Sequence, residues 1–348
     1  MDRGAGGQIK VPVSVKNPAT RDRYIVNALI EESITSSQLE GAATTRRVAE
    51  NMLRSERAPR NRSEWMILNN YQAMLFVQEE VGKPLTVEML LELHEIVTRN
   101  TLDDPDDAGR FRRSDDIVIE DRRGNILHHP PKATELEARV RMMCDFANAK
   151  SDKPFVHPLV RAVALHFWLA YDHPFVDGNG RTARALFYWA MLSEGYWLTE
   201  FLSISKILRK APAKYGDSFL RTETDDNDLT YFLLYQLEVL QRALDELRDY
   251  LSKEMERTSE VENRLQGEDL NHRQLALLEH ALKNPRQEYT FGSHGMSHKV
   301  VYQTARTDLL ELEKRGFLLR KKRGRAFVFT PAPDLESRLG NPAERKNS

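Results

Sequence analysis

The sequence predicts a mainly α-helical protein, with one short β-hairpin mid-chain and a small C-terminal unit of helices closed by a second hairpin. Three observations predict it. Apolar residues recur at helical spacing over most of the chain. Strand signal is confined to Ile117-Val118-Ile119 with Ile126-Leu127, and to the alternation around Lys322-Arg323-Gly324. A turn rich in glycine, Gly178-Asn179-Gly180, separates two strongly apolar helical stretches.

Taken in order, residues 1–22 form a polar leader. Residues 28–40 carry Leu29, Ile30, Ile34 and Leu39 at helical spacing, and Gly41 stands where a left-handed cap ends a helix. Residues 63–81 and 86–100 are amphipathic, with Ser63 and Thr86 as N-caps. The hairpin spans 117–127 around Gly124-Asn125, and Pro130-Pro131 closes it. A helix over 135–150 follows, capped by Thr134. Residues 159–171 are apolar on nearly every side, which places that helix at the centre of a bundle. A second apolar helix covers 181–194 and ends at Gly195. Leu233, Leu237, Leu240, Leu244, Leu247 and Leu251 form a heptad seam on one long helix, open to two readings: packing on the protein's own core, or a homodimer. The expected domains are 23–227 for the main body, 228–268 for the long helix and a charged linker from Lys253, 269–331 for the C-terminal unit, and 332–348 for a disordered tail.

Composition narrows the function. At 41% hydrophobic and 30% charged, the chain can bury a core. A net charge of -1 gives no global pull toward nucleic acid or membrane. The single Cys144 cannot close an intramolecular disulfide, which fits a reducing compartment. No apolar signal segment opens the sequence, and no apolar run reaches the ~18 residues of a membrane span. The expectation is a cytoplasmic protein.

Chemistry concentrates in His173-Pro-Phe-Val-Asp-Gly-Asn-Gly-Arg-Thr-Ala-Arg184. A glycine turn feeding a helix N-terminus offers free amides and a positive dipole end to phosphate. Arg181 and Arg184 lie three apart, on one helix face, and both can fork onto phosphate oxygens. Asp177 at the lip of the turn suits Mg2+, which takes one or two carboxylates plus phosphate oxygens. His173 titrates nearest neutrality and is the natural base for a hydroxyl nucleophile. Together these are the parts of an in-line displacement at phosphorus.

This run resembles, without mismatch, the signature of the Fic-domain protein adenylyltransferases, His-x-Phe-x-(Asp/Glu)-Gly-Asn-Gly-Arg-x-x-Arg. Related Doc-type kinases carry Lys where this chain has Gly180, which favours AMP transfer over phosphate transfer. The likeness runs from about Tyr24 to Asp228 and implies a Fic-type helical bundle with a hairpin flap. It implies ATP and Mg2+ as substrate and cofactor, and a protein hydroxyl as acceptor, the chain's own included. His173 would deprotonate that Ser, Thr or Tyr. Asp177 would hold Mg2+ against the α- and β-phosphates. Gly178, Asn179 and Gly180 would line the anion hole, with Thr182 and Ala183 in the same nucleotide-binding loop. Arg181 would steady the leaving pyrophosphate and Arg184 reach the γ-phosphate. Phe175 would be core, and Tyr215 stands where the family places an adenine contact. The hairpin resembles the flap, whose exposed edge can capture an extended target segment by backbone pairing. His128 and His129 are adjacent on a strand, so one should pack and one face solvent.

Ser36-Ser37-Gln38-Leu39-Glu40-Gly41 matches the same family's inhibitory pattern, (Ser/Thr)-x-x-x-Glu-(Gly/Asn). The resemblance implies that Glu40 bridges Arg184, with Ser36 one turn earlier helping to hold the helix. In some relatives that glutamate positions water to remove AMP, so deAMPylation is a further expectation. At the other end, the sequence predicts a helix over 298–315 capped by Ser297, then the hairpin, a pattern resembling a winged helix-turn-helix. From 299 to 325 nine Lys/Arg stand against Asp308, Glu311 and Glu313, which suits phosphate contacts of DNA. Two alternatives to AMP transfer stand beside it: a DNA-binding regulator whose loop only senses nucleotide, and transfer of another phosphate-containing group.

Overall fold

The computed structural model describes residues 18–120, 123–148, 155–265, 270–324 and 326–338. In chain order the helices are α1 (Pro18–Leu39), α2 (Arg46–Arg54), α3 (Arg62–Glu79), α4 (Val87–Thr98), α5 (Leu136–Asn148), α6 (Pro158–Asp172), α7 (Asn179–Ser193), α8 (Ile204–Lys210), α9 (Pro212–Thr224), α10 (Thr230–Leu265), α11 (His272–Lys283), α12 (Phe291–His298), α13 (Tyr302–Lys314) and α14 (Leu335–Arg338). The strands are β1 (Ile119–Glu120), β2 (Ile126–His128), β3 (Leu318–Arg323) and β4 (Ala326–Pro331), paired as two antiparallel hairpins. The fold is mainly helical, as expected. No described helix is long and apolar enough to cross a membrane.

The chain forms two compact units. The described part of the first is Ala28–Glu50 with Pro59–Asp245; the second takes residues 18–27, Asn51–Ala58 and the chain from Glu246. The boundaries fall inside α1, α2 and α10, not between the segments expected at 227 and 268.

In the first unit α6 and α7 share the largest helix–helix interface. Val163, Leu165, Leu169, Ala183, Leu186 and Phe187 are buried there, so both helices can be apolar on almost every side. Thr86 caps α4 by accepting the Met89 amide. On α3 the cap is Asn61, not Ser63. Asn61 accepts the Glu64 amide, while Glu64 accepts the Arg60 amide, a box that starts the helix earlier. Ser63 instead accepts the Ala43 amide. Gly41, at φ +90°, ends α1 with a bond from the Ala42 amide to the Ser37 carbonyl.

Three expectations are corrected. The charged stretch from Lys253 is not a linker as far as Leu265: α10 runs through it, since 253–265 holds no Gly or Pro and is rich in helix formers. Residues 266–269 lie outside the described residues, as does 1–17 of the leader. The tail is ordered through Arg338, because Ala332 and Leu335 join the core of the C-terminal unit; residues 339–348 lie outside the described residues. The helix predicted over 298–315 is two helices. α12 is capped by a Thr290/Ser293 box and ends with Lys299 left-handed, and Gly295 lets the Val300 carbonyl approach to 3.1 Å of where a Cβ would sit. Of the leucine seam, Leu240, Leu244 and Leu251 are buried within the single chain, while Leu233, Leu237 and Leu247 are half-buried, so internal packing accounts for three of the six.

The C-terminal helices and hairpin close over Leu278, Leu309, Leu312, Phe317 and Phe329. Asp308 is buried beneath them. It accepts from Arg273 (2.6 Å), Asn271 (2.8 Å) and His294 (3.1 Å). Burial raises its pKa, but these donors outweigh burial and hold it well below the usual carboxylate range. Asp308→Ala should cost about 3 kcal/mol by urea denaturation, because it strands Arg273 and His294 without a counter-charge.

Candidate functional site

The loop between α6 and α7 is fixed before any ligand arrives. His173 ends α6 in the left-handed region, φ 42°, ψ 57°. Phe175 is fully buried and stacks on His94 of α4, with centroids 3.7 Å apart and planes 4° apart. His94 Nδ1 accepts the Gly109 amide, so its Nε2–H donates to the Asp177 carbonyl at 2.9 Å. Burial depresses the His94 pKa to about 4, so the ring stays neutral. The Asn179 side chain closes the turn, accepting the Phe175 amide and donating to the Phe175 carbonyl. Gly178, at φ +84°, has Thr98 Cγ2 2.7 Å from where a Cβ would stand, so no side chain fits.

α7 then begins. Its first backbone bond runs from the Thr182 amide to the Gly178 carbonyl. The amides of Asn179, Gly180 and Arg181 precede it and have no carbonyl a turn earlier within the helix. Arg181 is fully buried. One end donates to the Val97 carbonyl at 2.8 Å, while Nε and Nη2 have no hydrogen-bond partner, Nη2 lying 3.8 Å from Asp177. Asp177 is partly exposed, accepts its neighbour's amide on Oδ1 and meets Arg62 at 3.2 Å on Oδ2.

Arg184 is buried, and the end of α1 surrounds it. Nε donates to the Ser36 hydroxyl (2.8 Å), and Nη2 to the Ser36 carbonyl (3.0 Å) and Glu40 Oε1 (2.9 Å). The same Glu40 oxygen lies 2.2 Å from where a Cβ on Gly180 would stand. The Glu40 carboxylate therefore sits directly over the helix start, where an anion belongs.

In His173, Nδ1 lies 3.3 Å from the Ala170 carbonyl, which selects the Nδ1–H tautomer and leaves the lone pair on Nε2. Burial pulls its pKa below 6.5, with the Ala170 carbonyl and Glu40 opposing.

Not every expected ligand residue reaches this space. The Asn179 side chain is consumed by the loop, leaving only its amide. The Thr182 hydroxyl donates to the Gly178 carbonyl, and Ala183 is fully buried, so both serve the helix start. Tyr215 is different: it packs edge-on to Phe219, but its hydroxyl, 2.9 Å from His166 Nε2, also lies beside the Arg184 guanidinium and so borders the space. Burial pushes that hydroxyl to about 12. As expected, His128 is buried and His129 exposed.

Two residues were missed in the sequence. His94 gave no signal, since a lone histidine on an apolar helix carries none. Arg112 is buried and donates to the carbonyls of His173 (3.0 Å), Ser114 (2.8 Å) and Pro131. Nothing in its run of charged neighbours marks it. Asn179→Ala should cost about 2–3 kcal/mol by urea denaturation, because it leaves the buried Phe175 amide and carbonyl without partners.

A model of the Fic/DOC family matches residues 84–191. The chain is 28% identical over 180 residues to the protein adenylyltransferase Fic of Nematostella vectensis, covering 50% of this chain and 40% of that one. It is 33% identical over 132 residues to that of Drosophila willistoni, covering 37% and 24%. The chain thus spans less than half the length of these curated relatives. A Fic family protein from Desulfovibrio desulfuricans G20 shares the fold at TM-score 0.59 and 18% identity, over 95% of this chain and 94% of that one. Fic-1 of C. elegans does so at TM-score 0.53 and 21% identity, over 73% and 69%. With His94, the hairpin and the whole loop from His173 to Arg184 inside the matched range, the chain carries a domain of the Fic/DOC family.

Proposed function

We propose that this protein transfers AMP from ATP to a Ser, Thr or Tyr hydroxyl of a polypeptide, and that Glu40 holds the reaction in check. The supporting observation is the carboxylate itself. Glu40 pairs with Arg184 and lies over Gly180, occupying with its own charge the place a phosphate would take.

In the reaction, Nε2 of His173 accepts the proton of the incoming hydroxyl. The hydroxyl oxygen bonds to the α-phosphorus, and the bond from that phosphorus to the bridging oxygen of pyrophosphate breaks. The amides at the start of α7 and the unpartnered Nε and Nη2 of Arg181 receive the phosphate oxygens. Asp177 fits Mg2+ carried on a triphosphate. It offers a partly exposed carboxylate beside the helix start, and no cluster of three His, Cys, Asp or Glu exists among the described residues. The cation, when bound, supplies charge neutralisation for the leaving group. Arg62 must leave Asp177 to admit it. With Glu40 on Arg184, the γ-phosphate loses its fork and the α-phosphate its alignment; a misplacement of about 1 Å costs on the order of 100-fold. The same carboxylate beside the pocket is the group that would orient water in deAMPylation.

Incubation with ATP labelled at the α- or the γ-phosphate tests this. Glu40→Gly should take up α-label at least tenfold faster than wild type, and His173→Ala should take up none. Uptake of γ-label in place of α-label would replace AMP transfer with phosphate transfer. Because burial keeps His173 neutral to below 6.5, the acid limb of the Glu40→Gly rate should have its midpoint below that value, with the rate flat at higher pH.

A second reading concerns the C-terminal unit, which we infer contacts duplex DNA in the manner of a winged helix. Its carboxylates are engaged internally: Asp308 with Arg273, Glu311 with Arg315, Glu313 with Arg320 and Glu288 with Arg323. Lys299 and Arg306, and Lys321 and Lys322 of β3, are exposed and make no ion pair among the described residues; Gln303 is exposed beside them. The full chain should shift duplex DNA with a salt-dependent affinity, and Lys321→Ala with Lys322→Ala should lower the salt slope by about 2, one per lost phosphate contact. Binding that ignores salt would remove this reading.

A further inference from the structure

The geometry points to Arg112 as the residue that couples the flap to the catalytic turn; we infer that it sets whether AMP passes to a polypeptide or to water. This rests on the AMP-transfer reading above. Arg112 is 3% exposed, and each part of its fork has a different duty. Nε donates to the His173 carbonyl at 3.0 Å, and its backbone amide donates to the Pro174 carbonyl at 2.8 Å. Nη1 donates to the Ser114 carbonyl at 2.8 Å and to Asp115 Oδ1 at 3.3 Å. Nη2 donates to the Pro131 carbonyl. Ser114 and Pro131 are the two roots of the β1–β2 hairpin, so one planar group ties both roots to the residue that bears the base.

The chemistry makes that tie consequential. β1 and β2 have only two and three residues, and beyond Arg112 the hairpin is held at His128, which meets the Tyr171 carbonyl at 2.7 Å and Glu223 at 2.8 Å. A target segment paired along that edge is therefore placed relative to His173 only as well as the hairpin is placed. Water needs no such alignment. His173 itself has independent support, from its amide bond to the Leu169 carbonyl and from Phe175, His94 and Asn179. Loss of Arg112 thus leaves the loop, and His128 still holds the end of β2 at the Tyr171 carbonyl, but the roots of the flap are loosened. In both outcomes the acceptor's proton goes to His173, the new bond is oxygen to α-phosphorus, and pyrophosphate departs; only the acceptor oxygen differs.

Lysine keeps the charge but cannot span three carbonyls. In the Glu40→Gly chain with α-labelled Mg-ATP, self-labelling and free AMP release are measured together. Arg112→Lys should lower labelling at least tenfold and AMP release less than threefold, with ATP affinity within twofold. Asp115→Ala, a surface change that loosens the same grip, should move the ratio the same way by a smaller factor, and decides the matter if the Arg112 variant does not fold. Hydrogen exchange needs no activity: the amides of Ile119 and Ile126 to His128 should exchange at least tenfold faster in Arg112→Lys, those of 175–184 unchanged. A proportionate fall in labelling and release, an unchanged ratio, or unchanged flap exchange would overturn the inference. If the Glu40→Gly parent neither labels nor releases AMP, the functional reading fails, while the exchange measurement still decides the coupling.

Discussion

A guanidinium buried almost completely must be answered by negative charge, and at Arg184 the answer comes from the end of α1. Burial lowers its pKa, yet Glu40 more than offsets that cost, and the pKa ends raised. The arrangement is a site for an anion that the protein completes with its own. On the proposed reading, Glu40 and a phosphate would be alternatives for one place, because both would need the same fork and the same helix start. Removing Glu40 takes away the one carboxylate hydrogen-bonded to Arg184 among the described residues, leaving the Ser36 hydroxyl and carbonyl and the nearby Tyr215 hydroxyl and Glu32, and so raises the pocket's demand for an anionic ligand.

That demand is useful only because the loop does not relax to meet it. Helix starts with open amides are common, and most collapse onto nearby side chains. Here the side chains that would do so are already committed: Asn179 to Phe175, Thr182 to the Gly178 carbonyl, and Asp177 to the Gly178 amide and Arg62. The flat stack of His94 on Phe175 sets the height of the turn, and Thr98 beneath Gly178 closes the space below. Arg181 keeps two donors without partners in a buried place, a cost a protein bears where a ligand will supply the acceptor.

Much of this was legible in the sequence, and the reason differs by residue. His173, Asp177, Arg181 and Arg184 were readable because their roles need particular chemistry at fixed spacing along one turn. Glu40 was readable because a carboxylate at a helix C-terminus is misplaced unless it has a distant partner. His94 and Arg112 were illegible because each acts by touching backbone carbonyls or amides, and any backbone offers those; only the fold brings them into reach. Thr182 and Ala183 were over-read, since position in a motif does not say which way a side chain points. The long helix was under-read past Lys253 because charge was mistaken for a break, whereas Glu, Lys and Arg are good helix formers. The split at Lys299 was hidden because a left-handed lysine leaves no compositional mark.

How the check on the site can be lifted is constrained by what lies two turns earlier on α1. Glu32 is 1% exposed and accepts from the Ser203 hydroxyl (2.9 Å), the Ser205 amide (3.0 Å) and the Ser205 hydroxyl. Ser37, one turn before the end, donates to the Met66 carbonyl at 3.0 Å and is also fully buried. Pulling α1 away as a body would strand a buried carboxylate and several donors at once, a cost of several kcal/mol. Glu40 is different. Its side chain is 30% exposed, it follows the last residue of the helix, and Gly41 behind it has open space where a Cβ would be. On the proposed reading, the cheapest release is rotation of the Glu40 side chain about a fixed helix, so the check would act as a single hinged carboxylate and not as a removable lid.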